Sequence, residues 1–184
     1  GPLAHRETLA NGAVLLVAER PAIPIVVVRV GVPAGAVHDP ADALGVATLT
    51  AALLTRGTAR RTGPELDRAI EFVGGSLEAG AGGDGAAVTL SVLKKDLALG
   101  LDLLAEVLLQ PAFAPDELTR KVTDIQGSLR RSEQDPETVA ARELSRMMFP
   151  GHPYGRPVHG TIESVGKITR EQVTAFYERH YRPD

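Results

Sequence analysis

The histidines are the first residues to examine for chemistry, because the chain contains five of them and no cysteine. His152 and His159 lie seven residues apart and could be imagined as a metal-binding pair in a loop. A zinc site needs at least three protein ligands, and no acidic or thiol partner completes the set here. The other three histidines are isolated from further candidate ligands. The sequence therefore predicts surface or locally hydrogen-bonded histidines and no metal centre at the pair.

Acidic and glycine-rich segments are the next candidates. The carboxylates of residues 133–137, with Glu71 and Glu106, show no spacing that would fix two of them on one face of a cleft, so we expect them to be solvated. Residues 80–85 contain four glycines but no following Lys-Ser or Lys-Thr, and they lead into a strand pattern. A flexible hairpin tip is a better interpretation than a phosphate-binding loop.

Composition narrows the function classes. Hydrophobic residues make up 43% of the 184 residues and charged residues 23%, which is typical of one globular domain. A net charge of -3 with dispersed Lys and Arg argues against nucleic-acid binding. No apolar run reaches the roughly 18 residues that a membrane helix needs. The absence of cysteine excludes disulfides, thiol nucleophiles and thiolate metal ligands.

The first half of the chain predicts strands around two helices. Asn11-Gly12 indicates a hairpin turn, and the β-branched run Ile25–Val32 predicts a central strand. An Ala- and Leu-rich helix, buried nearly all round, is expected from about 42 to 56, followed by a helix that opens on a capping box at Thr62. Two strands, at 76–79 and 86–93, then form a second hairpin around the glycine-rich segment.

The second half predicts helices. Leucines recur with helical spacing, residues 136–149 follow an Asp-Pro start, and Thr169 opens another capping box. The apolar stripes expected to face the core are Leu97, Leu101, Leu104 and Leu108 on one helix and Leu118, Val122, Ile125 and Leu129 on the next. Strands followed by helices predict an α+β two-layer sandwich, with a mostly antiparallel sheet covered by helices. We expect one domain over residues 3–184, and residues 1–2 are typical of a cleaved-tag remnant.

Several short motifs together resemble the N-terminal domain of insulinase-like (M16) zinc metallopeptidases. They occur in order along nearly the whole chain: Thr8 to Gly12, Gly45-Val46-Ala47, Arg56-Gly57-Thr58, Gly74-Gly75, His152 to Gly155 with Gly160, and Tyr181-Arg182-Pro183. Each motif alone is weak. Their order, together with the predicted order of strands and helices, supports the resemblance.

The resemblance also identifies where a metal site would lie. Active members carry His-x-x-Glu-His on a helix, where residues at i and i+4 share one face and converge on zinc, while the Glu acts as general base. The corresponding positions here are Thr48, Ala51 and Ala52. Threonine is a poor zinc ligand, and alanine can neither bind a metal nor accept a proton. Both ligands and the base are therefore missing from this motif.

A more distant Glu completes the zinc site in active members. The family spacing places it at Ser128, and counting back from Asp135-Pro136 gives the same position. The acidic residue that supports this ligand in active relatives corresponds to Lys121, a cation. The resemblance thus implies no catalytic residue, no metal ligand and no cofactor in this chain, with zinc expected only in an active partner.

The function implied by the resemblance is a non-catalytic subunit, similar to those of mitochondrial processing peptidase and of bacterial M16 pairs. Such a subunit pairs with an active homologue and helps to form a chamber that binds extended peptides. Two alternatives stay open: a purely structural subunit, and an active peptidase with other ligands. The compartment stays unknown: the bacterial periplasm and the cytoplasm are both open, and the resemblance slightly favours the periplasm.

Two further expectations concern the shape of the domain. Relatives continue beyond Tyr181 into more strands and a later domain that supplies an Arg-Tyr pair, so the domain is expected to be incomplete at its C-terminal end and able to self-associate through unpaired strands. Without a metal to accommodate, we also expect Ala51 and Ala52 to pack against the helix carrying Lys121 and Ser128, which would close the former site.

Overall fold

The computed structural model describes residues 4–20 and 22–182, which form an α+β fold with antiparallel sheets. This confirms the predicted fold class. The expected tag remnant at residues 1–2 and the last two residues of the chain lie outside the described residues. No described helix is both long and apolar enough to cross a membrane.

The chain begins with an isolated hairpin of β1 (His5–Thr8) and β2 (Val14–Val17), as the Asn-Gly pair predicts. Gly12 adopts a positive φ of 86°, which glycine tolerates without steric cost. The Asn11 side chain accepts a hydrogen bond from Ala13 N at 3.2 Å. Local turn chemistry therefore fixes this hairpin.

The main sheet contains β3 (Ile25–Val32), β4 (Ser76–Ala81) and β5 (Ala86–Leu93) in the order β3-β5-β4. The prediction that β3 is central is wrong for the described part of the chain, where β5 is central and β3 lies at an edge. Alternate residues of β3 are exposed, with Val27 at 63%. The continuous apolar run indicated burial on both faces, but only one face of β3 is covered.

The glycine-rich tip between β4 and β5 is held by its neighbours. Ala36 N donates to Gly82 O at 3.0 Å, and Val37 N donates to Gly83 O at 2.9 Å. A Cβ on Gly35 would lie 2.3 Å from Gly83 O, so only glycine permits this approach. The predicted hairpin is confirmed, and backbone hydrogen bonds attach its tip to the segment after β3.

Seven helices follow or interrupt these strands in the described residues. They are α1 (Val46–Leu53), α2 (Gly63–Phe72), α3 (Leu97–Leu109), α4 (Pro115–Ser132), α5 (Pro136–Met148), α6 (Ile162–Lys167) and α7 (Arg170–His180). Capping boxes at Thr62 and Thr169 start α2 and α7 as predicted. Another capping box, at Thr161, starts α6, a helix that was not predicted from the sequence. Helix α1 is shorter than predicted but is buried on most of its surface.

The core face of α3 differs from the predicted stripe. Leu104 is buried in the core, and Leu97 and Leu108 pack against it, as predicted. Leu101 is 44% exposed, whereas Leu103 and Val107 are fully buried. Helix α3 is apolar nearly all round, so helical spacing alone cannot select the face that meets the sheet. The prediction that α3 packs on the core is confirmed, and within the stripe it is wrong for Leu101.

A buried ionic network joins α3 to the segment after α1. Glu106 is 2% exposed, accepts a hydrogen bond from the Thr58 hydroxyl and forms an ion pair with Arg61. Arg60 lies 3.5 Å from the same carboxylate and also binds Asp102. The expectation that Glu106 is solvated is therefore wrong. Its position in a largely apolar helix gave no sequence signal of these distant partners.

Candidate functional site

Helix α1 carries the three positions that correspond to His-x-x-Glu-His. The Ala51 side chain is fully buried in the hydrophobic core, whereas Thr48 and Ala52 are partly buried. The helix packs against α4, α7 and the sheet. The positions therefore have the spacing of the family motif, but they present two methyl groups and one hydroxyl.

Asp39 fixes the start of α1 from outside the helix. Its carboxylate accepts hydrogen bonds from Gly45 N at 2.6 Å and Ala47 N at 3.0 Å. Burial raises the pKa of the Asp39 carboxyl, while these two backbone hydrogen bonds act in the opposite direction. Asp39 was not predicted from the sequence, because a capping side chain is expected at the N-cap position, directly before the helix. Asp39 instead lies six residues before Gly45 and eight before Ala47, the two residues whose N–H groups it binds.

The start of α1 also lies against the segment 158–160. Gly45 has a φ of 96°, and a Cβ there would lie 2.9 Å from His159 O. Gly160 has a φ of 71°, and its Cβ would lie 2.3 Å from Leu44 O. Gly45 and Gly160, which both belong to the motifs that resemble the family, therefore allow the backbone of the segment 158–160 to lie close to the start of α1. This contact places His159 beside α1.

Helix α4 carries the position of the distant zinc ligand. Ser128 is exposed, and Lys121, two turns earlier, is partly buried and lies 3.6 Å from Asp124. An ammonium group at this place disfavours a divalent cation nearby, because like charges repel. The residues present at both helices therefore do not fit zinc.

A cavity of about 460 Å³ separates Thr48 from Ser128. Its wall is formed by α1, α4, α5 and the segment 154–160. The lining residues are Thr48, Ile125, Ser128, Leu129, Ser132, Thr138, Ala141, Arg142, Ser145, Tyr154, Arg156, Pro157, Val158, His159 and Gly160. Two of the five positions identified from the sequence meet at this cavity. Ala51, Ala52 and Lys121 do not line it.

The expectation of a fully closed site is therefore wrong in part. The Ala51 side chain is 0% exposed and is covered by the hydrophobic core, as expected. The space between Thr48 and Ser128, however, is an open cavity. The small side chains at these two positions do not fill it, and α5 forms a wall on the far side. Helix α5 carries no buried residue, so it contributes a boundary rather than core packing.

The two histidines of the first candidate pair serve different contacts. Thr48 Oγ1 donates to Val158 O at 3.2 Å and lies 3.2 Å from His159 Nδ1. His152 Nδ1 accepts from Tyr154 N at 3.2 Å. Across residues 4–20 and 22–182, no three His, Asp or Glu side chains are grouped so that they could hold a metal ion.

The Thr48 and His159 contact has the length of a nucleophile and base pair, but not its arrangement. Thr48 Oγ1 lies 3.2 Å from both Val158 O and His159 Nδ1, and its single proton can be donated to only one of them. A base must accept the hydroxyl proton and is usually oriented by a third group. No carboxylate lines the described wall of this cavity to orient His159. Among the described lining residues, the contact therefore lacks the third group that usually orients a catalytic base.

Comparison with known proteins places these features in a family. The sequence model of the family described as insulinase (peptidase family M16) matches residues 14–162. An uncharacterized zinc protease of Mycobacterium leprae is 33% identical over 97% of this chain and 40% of its own length. Subunit beta of the mitochondrial-processing peptidase of Dictyostelium discoideum is 28% identical over 96% of this chain and 38% of its own length.

Solved structures share the fold. The peptidase M16 inactive domain from Pseudomonas fluorescens superposes with a TM-score of 0.89 at 30% identity, covering 95% of this chain and 42% of that one. A protease from Helicobacter pylori gives a TM-score of 0.89 at 20% identity, covering 99% of this chain and 44% of that one. The chain spans less than half the length of each of these relatives.

Proposed function

The chain belongs to the insulinase family, peptidase family M16, and we propose that it acts as a non-catalytic member that pairs with an active zinc-peptidase homologue. In this role it forms part of the wall of a chamber that binds extended peptides. The chain itself performs no hydrolysis, and the partner supplies the zinc. The earlier alternatives, a structural subunit and a peptidase with other ligands, are separated from this proposal by the experiments below.

The observation that carries the proposal is the chemistry at the family's metal positions. Thr48 and Ser128 lie across one cavity on adjacent helices, where ligands from two helices could meet. Their hydroxyls and the methyls of Ala51 and Ala52 supply neither an imidazole nor a carboxylate. The Pseudomonas fluorescens structure, at 30% identity, is itself described as an inactive domain. The mycobacterial relatives are described as zinc proteases, a property that belongs to those proteins.

The proposed peptide-binding role is supported by the exposed side of the sheet. Strand β3 lies at one edge of the described sheet, the position at which an extended peptide would add as a further strand. A groove of about 750 Å³ runs over the strands and is lined in part by Arg29, Glu78 and Thr89. Strand addition relies on backbone hydrogen bonds, so it suits a chamber that accepts varied peptides.

We expect the purified chain to hold no stoichiometric zinc after dialysis against metal-free buffer. The ligand positions Thr48, Ala52 and Ser128 cannot supply the set of charged or imidazole ligands that zinc requires. Elemental analysis by mass spectrometry measures this directly. About one tightly held zinc per chain would exclude the non-catalytic proposal and favour a peptidase with other ligands.

Pairing is tested with the full-length protein in its native host. Co-purification under native conditions is expected to recover a homologue that carries an intact His-x-x-Glu-His motif, in a ratio near one to one. Peptidase activity should require both chains. A stable complex that contains no such homologue would favour the structural alternative, and recovery of only a homo-oligomer would contradict pairing.

A further inference from the structure

The cavity between α1, α4 and α5 has an unusual charge distribution. Arg142, Arg156 and His159 line it, and the described lining residues include no Asp or Glu. Arginine is charged at every physiological pH, so the cavity wall carries at least two positive charges. A concave wall of one charge sign concentrates the field inside it and attracts a ligand of opposite sign.

The two arginines differ in how they are held. Arg156 Nη1 donates to Asp39 O at 3.3 Å, which holds the guanidinium beside the start of α1. Burial raises the pKa of the Asp39 carboxyl, but the positive charge of Arg156 acts to lower it, so this carboxylate offsets part of that charge. The other N–H groups of Arg156 stay available for a ligand. Arg142 lies 4.0 Å from Glu143. The Glu143 carboxylate forms a closer contact of 2.8 Å with Arg146, so it neutralises Arg142 only weakly.

Hydroxyl groups add neutral donors to the same wall. Ser132 donates to Leu129 O and Thr138 donates to Asp135, so these two hydroxyls are already used. Ser128 and Ser145 also line the cavity, and their hydroxyls form no hydrogen bond to another described side chain or backbone group. Two cations and two available hydroxyl donors are a set that suits the oxygens of an anion.

The rest of the wall is apolar, with Ile125, Leu129 and Val158 among its residues. The volume of about 460 Å³ lies within the usual range of roughly 300–1,000 Å³ for sites that enclose small ligands. An inorganic anion would leave most of this space empty and the apolar wall unused. An apolar side chain attached to a carboxylate would use both parts of the wall.

We propose that this cavity binds the C-terminal carboxylate of a peptide, with the apolar side chain of the last residue against Ile125, Leu129 and Val158. Arg142 and Arg156 pair with the carboxylate, and Ser128 and Ser145 donate to it. The proposal deepens the peptide-binding role proposed above and rests on it. No covalent step is involved, so a peptide end is retained and not cleaved.

The test compares acetyl-Ala-Ala-Leu as a free acid with its C-terminal amide, titrated calorimetrically into the chain in buffer containing EDTA. The acid should bind at least about tenfold more tightly than the amide, because only the acid carries the charge that the arginines pair with. Inorganic phosphate should bind more weakly than the acid, since it leaves the apolar wall unused. Equal affinity for acid and amide, or for acid and phosphate, would overturn the proposal.

Two variants locate the site. Arg142→Gln, at a side chain that is 42% exposed and therefore tolerant of change, should weaken binding of the acid about tenfold and leave the amide unchanged. Arg156→Gln should weaken the acid similarly, provided that circular dichroism shows an intact fold. Arg130→Gln removes the same charge from an exposed position on α4 outside the cavity, so it should have no effect. Equal effects of Arg130→Gln and Arg142→Gln would contradict a specific site.

The peptide-binding experiment and the tests of the non-catalytic role can fail independently of each other. If neither peptide binds, the carboxylate site is excluded, while zinc content and pairing remain independent measures of the non-catalytic role. If the same preparation holds one zinc before EDTA is added, the non-catalytic role is excluded. In that case a preference for the acid that persists in EDTA would still support the arginine site.

Discussion

Arg61→Met is expected to lower the free energy of unfolding by about 3 kcal/mol, the lower part of the range for breaking a buried ion pair. The Glu106 side chain is 0% exposed, and Arg61 is its closest cation. Removing the guanidinium leaves a buried carboxylate with fewer compensating charges. Arg60, 3.5 Å from Glu106, offsets part of the loss, which places the value at the lower end. Urea unfolding of both proteins at pH 7 measures the difference.

Arg56→Met provides a matched control. The Arg56 and Arg61 side chains are both 26% exposed, but Arg56 pairs with Asp67, which is 44% exposed. Breaking this solvated pair should cost less than about 1 kcal/mol. Adding Glu106→Met to Arg61→Met should recover most of the lost stability, because an apolar side chain needs no counter-charge. Equal costs for the two Arg variants, or no recovery in the double variant, would contradict a buried-charge effect.

The parts of the fold that sequence predicts well are those fixed by neighbouring residues. The capping boxes at Thr62 and Thr169 and the turn at Asn11 each satisfy backbone groups within a few positions, so their signals are readable in order along the chain. The alternating strand β5 is equally local, since one face pattern repeats every second residue. These elements, taken in order, were sufficient for the α+β class.

Features that depend on distant partners were not predictable in the same way. The edge position of β3 depends on which strands pair with it, and a continuous apolar run is compatible with either place. Glu106 is buried because Thr58 and Arg61, more than forty residues earlier, meet it. Asp39 caps α1 through a loop. In each case the stabilising contact exists only after the chain has folded.

In the candidate site too, features fixed by local spacing were predicted, and features that depend on distant partners were not. Helical spacing placed Thr48, Ala51 and Ala52 along one helix, α1, and the family spacing placed Ser128 on a later helix, α4. The cavity between them also depends on α5 and the segment 154–160, whose packing has no short-range signal. Arg142 and Arg156 were therefore missed as site residues. Their side chains share an environment only because three helices and the segment 154–160 surround one space.

Ala51→Glu is expected to destabilise the chain by several kcal/mol, even though glutamate is the residue that active family members carry there. Ala51 is 0% exposed and belongs to the hydrophobic core. A glutamate at this position must either bury a carboxylate without a partner or displace its neighbours, and both are costly. Lys121 lies 3.6 Å from Asp124, so a rescue by this cation would break an existing contact. Thermal and urea unfolding measure the loss.

Ser128→Glu is the matched control, because it restores the other acidic residue of the family site at an exposed position beside the cavity. A carboxylate there stays hydrated, and the change in stability should remain within about 0.5 kcal/mol. A large loss of stability for Ala51→Glu and a small one for Ser128→Glu would show that position 51 is packed in the core and that position 128 faces an open cavity. If Ala51→Glu unfolds at the same urea concentration as the parent, α1 is not closed in the way the structure describes. If Ser128→Glu is as damaging as Ala51→Glu, the wall at position 128 is packed rather than open.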